Sequence, residues 1–378
     1  MPALKARRKP AARFFVSVLR VANGHAMFEN CAAWAHLGNL QGTFPMASPH
    51  SIEIPEQSTV DGKAFPLVWA AAAGETSTDS LCAWIQEHRD TVFEHVQEHG
   101  AILFRGYAVN TPEDFAAVVE SLDLENMPYI GGAAVRNKVA GDKVLTANEA
   151  PPSEPIPFHH EMAQVPNPPM YLVFCCDVPA ADGGETPIIL SHEVYRYASE
   201  TYPEFMARVE ELGVRYVRIL PEEDDPSSAI GRSWKSTYQT DTREGAETRM
   251  LEQGTSWEWL DNGNLKTITA VLPAVKMEPR TGKKTFFNAM VAAYLGWVDS
   301  RNDPSKAIVL GDGSPVDHDA MMGIAGFMES TKVAVPWIKG DVLLVDNHLA
   351  MHSRNPFTPP RRILASVARG RRAATAGA

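Results

Sequence analysis

Only four cysteines occur in 378 residues, and that scarcity excludes a disulfide framework. Cys175 and Cys176 are neighbours inside an apolar run, where strand alternation sends adjacent side chains to opposite faces, so they read as buried thiols of a reducing compartment. Basic residues are outnumbered too. Lys and Arg total 35 against 46 Asp and Glu, a formal net charge of -11, and phosphate binding needs a concentration of positive charge that the chain lacks outside its ends. No nucleic-acid partner is expected. No apolar stretch reaches the roughly 18 residues a membrane helix needs, so no membrane partner is expected either, and no internal repeat is visible.

The remaining composition is that of an ordinary globular protein. Hydrophobic residues make up 44% and charged residues 21% of the chain, enough for a sizeable core. The amino end differs from everything after it. Before Glu29 there is no acid, while Lys5, Arg7, Arg8, Lys9, Arg13 and Arg20 are all basic. We therefore treat residues 1–45 as a basic leader, either a transit peptide or a disordered tail. The expected location is intracellular: cytoplasmic, or plastid or mitochondrion if the leader is a targeting signal. Residues 50–372 form one predicted domain and 373–378 a tail.

Residues 79–99 carry apolar side chains at helical spacing (Leu81, Trp84, Ile85, Val92, Val96), and Gly100 stops the predicted helix. A short buried strand over 101–104 follows, then a helix start at Thr111-Pro112 with Pro in its first turn. From Lys143 the texture becomes extended. Strands are predicted over 170–178, 214–220, 267–272, 285–288, 333–337, 341–345 and 362–369, with one helical insertion over 191–213, broken at Pro203. Residues 222–231 and 311–319 read as surface loops. Many short strands with one group of helices predict an α+β fold, an antiparallel barrel or jelly roll braced by helices.

The most informative segment is Pro157-Phe158-His159-His160-Glu161-Met162. On an extended strand, residues two apart share a face roughly 6.6 Å apart, so His159 and Glu161 can converge on one metal ion while His160 points away. His352, about 190 residues downstream and shortly after an apolar strand, is the candidate third ligand. Two histidines and one carboxylate leave three coordination positions open, as in iron(II) oxygenases. The segment is not His-Glu-x-x-His, which excludes a zinc-protease helix. A two-histidine zinc clamp from His348 and His352 stays open at this point, although the preceding strand and Asn355-Pro356 oppose the helix it needs.

The run His352-Ser353-Arg354-Asn355-Pro356-Phe357-Thr358-Pro359-Pro360-Arg361-Arg362-Ile363-Leu364 adds to Phe158-His159-His160-Glu161-Met162, Gly183-Gly184-Glu185-Thr186-Pro187 and Gly340-Asp341 through Asp346-Asn347. With these motifs the chain resembles the 2-oxoglutarate-dependent taurine dioxygenase (TauD/TfdA) superfamily, and within it the clavaminate synthase-like branch. The resemblance implies a double-stranded β-helix (jelly roll) core, with residues 50–372 as the dioxygenase domain. It implies Fe(II) held by His159, Glu161 and His352, with 2-oxoglutarate and O₂ as co-substrates. The arginine that grips the distal carboxylate of 2-oxoglutarate falls on Arg362, ten residues after His352, which leaves Arg361 as a surface charge on the opposite strand face. Thr186 falls on a position whose hydroxyl assists that carboxylate, and Thr146 and Asn148 are candidates for the co-substrate or substrate pocket.

The implied activity is hydroxylation of an aliphatic C–H bond of a small molecule, with release of succinate and CO₂. Taurine dioxygenase has a sulfonate-binding arginine four residues past its co-substrate arginine, and Ser366 stands at that place here. An amino acid or a derivative is therefore the expected substrate. A non-catalytic sensor of iron and 2-oxoglutarate and a zinc hydrolase are the alternative classes.

Overall fold

The computed structural model describes residues 48–372. The leader predicted over 1–45 and the tail over 373–378 lie outside the described residues.

Tyr171–Val178 is apolar on both faces, as a strand covered on both sides must be. It pairs antiparallel with Val342–Asp346 on one edge and with Arg362–Arg371 on the other. These three strands form the middle of a nine-stranded sheet. Val342–Asp346 continues to Ala101–Arg105, which pairs in parallel with Leu67–Ala70. On the other side Arg362–Arg371 pairs with Val144–Thr146 and with Leu124–Asn126.

The two faces of this sheet have different partners. Val173, Cys175, Leu344 and Leu364 pack outward against Leu81, Val92 and Phe115 of the helices Thr78–Glu87, Arg89–His99 and Pro112–Ser121. Leu172, Phe174, Cys176, Ile363 and Ala365 pack inward against Ile188, Leu190 and Ala350. The last three belong to a smaller sheet of Ile188–Leu190, Ala350–Arg354 and Ile156–His159. Cys175 and Cys176 thus face opposite layers, as alternation requires, and both are buried free thiols. A four-stranded sheet of Ser256–Trp259, Leu265–Ile268, Val214–Leu220 and Ile308–Leu310 completes a mixed structure of helices and largely antiparallel sheets. No helix among the described residues is long and apolar enough to cross a membrane.

Several predicted elements need correction. The helix read over 79–99 is two helices, parted at His88, whose ring stacks on Trp84 and whose Nδ1 lies 3.0 Å from the Trp84 carbonyl. The segment 333–337 forms no strand; only Val333 bridges to Ile188. Helices were also underestimated, since Trp234–Tyr238, Arg243–Glu252, Met290–Gly296 and His318–Thr331 add to the expected pair Ser191–Thr201 and Pro203–Leu212. Arg243–Glu252 buries only Ala246 and Met250, too little to leave a periodic stripe. His318–Thr331 starts inside the segment read as loop, capped by the Asp317 carboxylate on the Ala320 amide.

Candidate active site

His159 is the last residue of Ile156–His159, and its cross-strand partner is His352 in the middle of Ala350–Arg354. Their rings lie 4.3 Å apart. Glu161 joins them by a turn rather than by strand alternation. The strand ends at His159, the Ala163 amide bonds back to the His160 carbonyl at 3.2 Å, and Met162 takes a left-handed φ of 54°. One potential ligand atom from each of His159, Glu161 and His352 lies within 4.8 Å of the others.

The electrostatics leave His159 and Glu161 in their metal-binding forms. The Pro157 carbonyl, 2.9 Å from His159 Nδ1, can only accept, so Nδ1 carries the proton and Nε2 keeps its lone pair. Burial, reinforced by His352 beside it, pushes His159 down to about 4, so the ring is neutral near pH 7. Burial alone would raise Glu161, but Arg136 and the neighbouring histidines outweigh it and hold the carboxyl well below its usual range. Its oxygens accept from Tyr129 Oη at 3.0 Å and Arg136 Nη2 at 2.7 Å. His352 Nε2 is 3.5 Å from Glu161 Oε2.

His160 points away, as predicted. It is fully buried, stacked on Phe287, with Nδ1 2.5 Å from the Asn347 carbonyl and Nε2 2.8 Å from Ser191 Oγ. Asn347 fixes the turn from the other side. Its Oδ1 accepts from the Glu161 amide at 2.8 Å, and its Nδ2 donates to the carbonyls of Glu161 and Pro169.

The triad forms part of the wall of a cleft of about 870 Å³, mouth included. Ile156, Phe174, Ile230, Ala289 and Trp297 give it apolar walls, and Thr186 and Asn148 line it where the sequence placed them. Thr146 does not; it ends the strand Val144–Thr146, and its Oγ1 accepts from the Asn137 amide. Arg362 is the main correction. It pairs with Asp177 on the outer side of the sheet and its side chain is 50% exposed. Arg361 lines the cleft instead. On this strand Ile363, Ala365 and Val367 face inward, so the inward parity belongs to the odd numbers.

The double glycine explains how Arg361 fits. Gly184 has φ +75°, and a Cβ there would sit 2.8 Å from Arg361 Cδ and 2.9 Å from its Nε. Arg361 Nε donates to the Gly184 carbonyl at 2.7 Å, which fixes the guanidinium at the cleft wall.

Sequence comparison now places this arrangement. The family model described as taurine catabolism dioxygenase TauD, TfdA family matches residues 62–368. The chain belongs to the TauD, TfdA family. A clavaminate synthase-like protein of Arabidopsis thaliana is 46% identical over 319 residues, covering 83% of this chain and 96% of that protein. The dapdiamide synthesis protein DdaC of Enterobacter agglomerans is 27% identical, covering 79% and 92%. Among solved structures, PvcB of Pseudomonas aeruginosa shares 15% identity at a TM-score of 0.47, over 84% of this chain and 92% of that one.

As a TauD, TfdA family member the chain is an oxidoreductase, an oxygenase working with Fe(II), 2-oxoglutarate and O₂. The donor set fits that metal, since two imidazoles and one ionised carboxylate suit iron(II) and leave room for oxygen donors. Four residues important to the site carried no assigned role in the sequence reading. Tyr129 and Arg136 lie well before the His-x-Glu segment, in a stretch without periodicity. Asn347 stood inside a recognised motif, but only the fold shows what it holds. Arg354 is spent on the backbone carbonyls of Asn148, Ala150, Pro151 and Glu154.

Proposed function

We propose that this enzyme hydroxylates an aliphatic C–H bond of a small substrate, an amino acid or a derivative, with release of succinate and CO₂. The observation that carries the reading is the convergence of His159, Glu161 and His352 on one wall of a cleft that Arg361 also lines. In this reading the three residues hold Fe(II). Arg361 replaces Arg362 as the partner of the distal carboxylate of 2-oxoglutarate, because a guanidinium binds a carboxylate through paired donors. Thr186 stands beside it, with its hydroxyl 3.2 Å from Trp337 Nε1, and Asn148 lines the same chamber.

Bound iron and co-substrate supply the oxidising chemistry. The chain's own task is positioning and exclusion of water. Asn347 fixes the backbone that presents Glu161, and Phe174 packs 5.3 Å from the His352 ring. Trp297, Ile230 and Ile156 keep the cleft dry opposite the polar groups. The nine-stranded and three-stranded sheets, sharing one inner cluster, support reading the frame as a double-stranded β-helix.

Correcting the register does not restore a sulfonate site. The residue four past Arg361 is Ala365, buried in the inner cluster, so an amino acid stays the proposed substrate. The test is incubation of the iron-loaded enzyme with 2-oxoglutarate, O₂ and pooled amino acids, following succinate and the gain of one oxygen in mass. Coupled oxidation of taurine with no response to any amino acid would overturn the substrate class. An intracellular location, with plastid or mitochondrion if residues 1–45 act as a transit peptide, is part of the proposal and is tested by fusing those residues to a reporter.

A further inference from the structure

We infer that Arg136 is the anchor for an anionic group of the substrate, a carboxylate, within the cleft of the iron site. The inference rests on reading that cleft as the substrate chamber. Arg136 lines it, and its side chain is only 6% exposed. The guanidinium lies over the Tyr129 ring, 4.5 Å from its centre, and its Nη2 donates to Glu161 Oε2. Its Nε and Nη1 are buried and have no hydrogen-bond partner among the described residues. Leaving charged donors buried and unpaired is costly, and native proteins rarely do so without a partner to come.

The other arginines in and beside the cleft have their work. Arg354 is consumed by four backbone carbonyls, and Arg361 is held by Gly184 at the co-substrate end. Arg232, whose guanidinium sits on the same Tyr129 ring, donates to the carbonyls of Tyr129, Gly132 and Ser236. Arg136 alone combines near-complete burial, contact with the triad and two unspent nitrogens. Glu161 offsets its charge only in part once that carboxylate also faces a divalent ion. A second carboxylate, brought by the substrate, completes both the charge balance and the hydrogen bonds. Such an anchor would orient an amino acid by its α-carboxylate and hold its side chain toward the apolar wall of Ala289, Ala292 and Trp297.

The experiment uses the full chain with Fe(II) and 2-oxoglutarate in the absence of O₂. The probes are paired carboxylic acids and their primary amides: the protein amino acids, plus alkyl and aryl acids of similar size. Perturbation of the visible absorption of the iron and 2-oxoglutarate complex reports binding without turnover. At least one acid is expected to perturb the band while its amide binds about ten- to a hundredfold more weakly. Because Arg136 also holds Glu161, the variants are compared at saturating Fe(II) and 2-oxoglutarate, where Arg136→Gln should weaken the acid by a similar factor and leave the amide unchanged. Arg136→Lys should recover part of the loss, which separates anchoring from misfolding. The inference is overturned if acids and amides bind alike, if no acid responds, or if Arg136→Gln at saturating Fe(II) and 2-oxoglutarate weakens acid and amide equally. A neutral compound hydroxylated with succinate release would leave the hydroxylase reading standing and sink this one.

Discussion

His159 and His352 face each other as direct partners across an antiparallel strand pair, with ring centres 4.3 Å apart. The two histidines are therefore placed by backbone pairing, and the metal site inherits the stiffness of the small sheet. His159→Ala and His352→Ala should each abolish Fe(II) binding and turnover, since two remaining ligands hold a labile divalent ion poorly. His160→Ala should keep iron binding but cost about 2–4 kcal/mol of stability, because it empties a buried site and strips partners from Ser191 and the Asn347 carbonyl. Anaerobic iron titration and urea unfolding separate the two outcomes. Equal loss of iron in all three variants would remove the distinction drawn between His159 and His160.

Acid should weaken the metal-free protein in a defined window. His159 falls from 6.5 to about 4 on folding, chiefly through burial, and burial drives His160 in the same direction. Because the unfolded chain takes up these protons first, the stability is complete above about pH 6.5 and is lost as the pH drops toward 4. At pH 5 the loss from His159 alone is about 2 kcal/mol relative to pH 7.5. Urea midpoints of the metal-free chain at the two pH values check this. A midpoint that holds or rises at pH 5 would contradict neutral, buried histidines.

Much of the frame was legible because strands covered on both sides must be apolar. Residues 170–178 and 341–345 announced themselves in that way, and Pro203 announced the break between two helices. Thr111, Pro112 and Asp114 spelled a helix start that the structure forms as a capping box. The His-x-Glu segment and His352 were legible as a possible metal site because their chemistry is rare in combination. What stayed hidden was set by long-range geometry. The inward parity of Ile363, Ala365 and Val367, set by pairing with the strand Tyr171–Val178, decides that Arg361 and not Arg362 faces inward, and nothing local to either arginine records it. Arg136 lies in a stretch with no periodicity, and its meaning appears only beside Glu161.

Arg361→Lys should weaken 2-oxoglutarate binding by about 1.5–3 kcal/mol, the worth of a charged hydrogen bond, while leaving iron affinity intact. Arg362→Lys should change co-substrate affinity little, since the exposed Arg362 pairs with Asp177 away from the cleft. Anaerobic titration of 2-oxoglutarate into each iron-loaded variant decides between them. A larger loss in Arg362→Lys would return the assignment to the sequence register.

Gly184→Ala tests the same end of the cleft without touching a charge. Gly184 has φ +75°, and the added methyl would meet Arg361 Cδ, Arg361 Nε and Phe357 Cβ at 2.8 to 2.9 Å. The left-handed backbone costs an alanine about 1–2 kcal/mol, and the contact must push the guanidinium off the Gly184 carbonyl that now holds it. The variant should bind iron normally, be less stable, and lose about tenfold or more in 2-oxoglutarate affinity. Because both changes act through one side chain, Gly184→Ala combined with Arg361→Lys should be clearly less damaging than the sum of the two alone. Additive losses in that double-mutant cycle would mean that the glycine serves the turn and not the arginine.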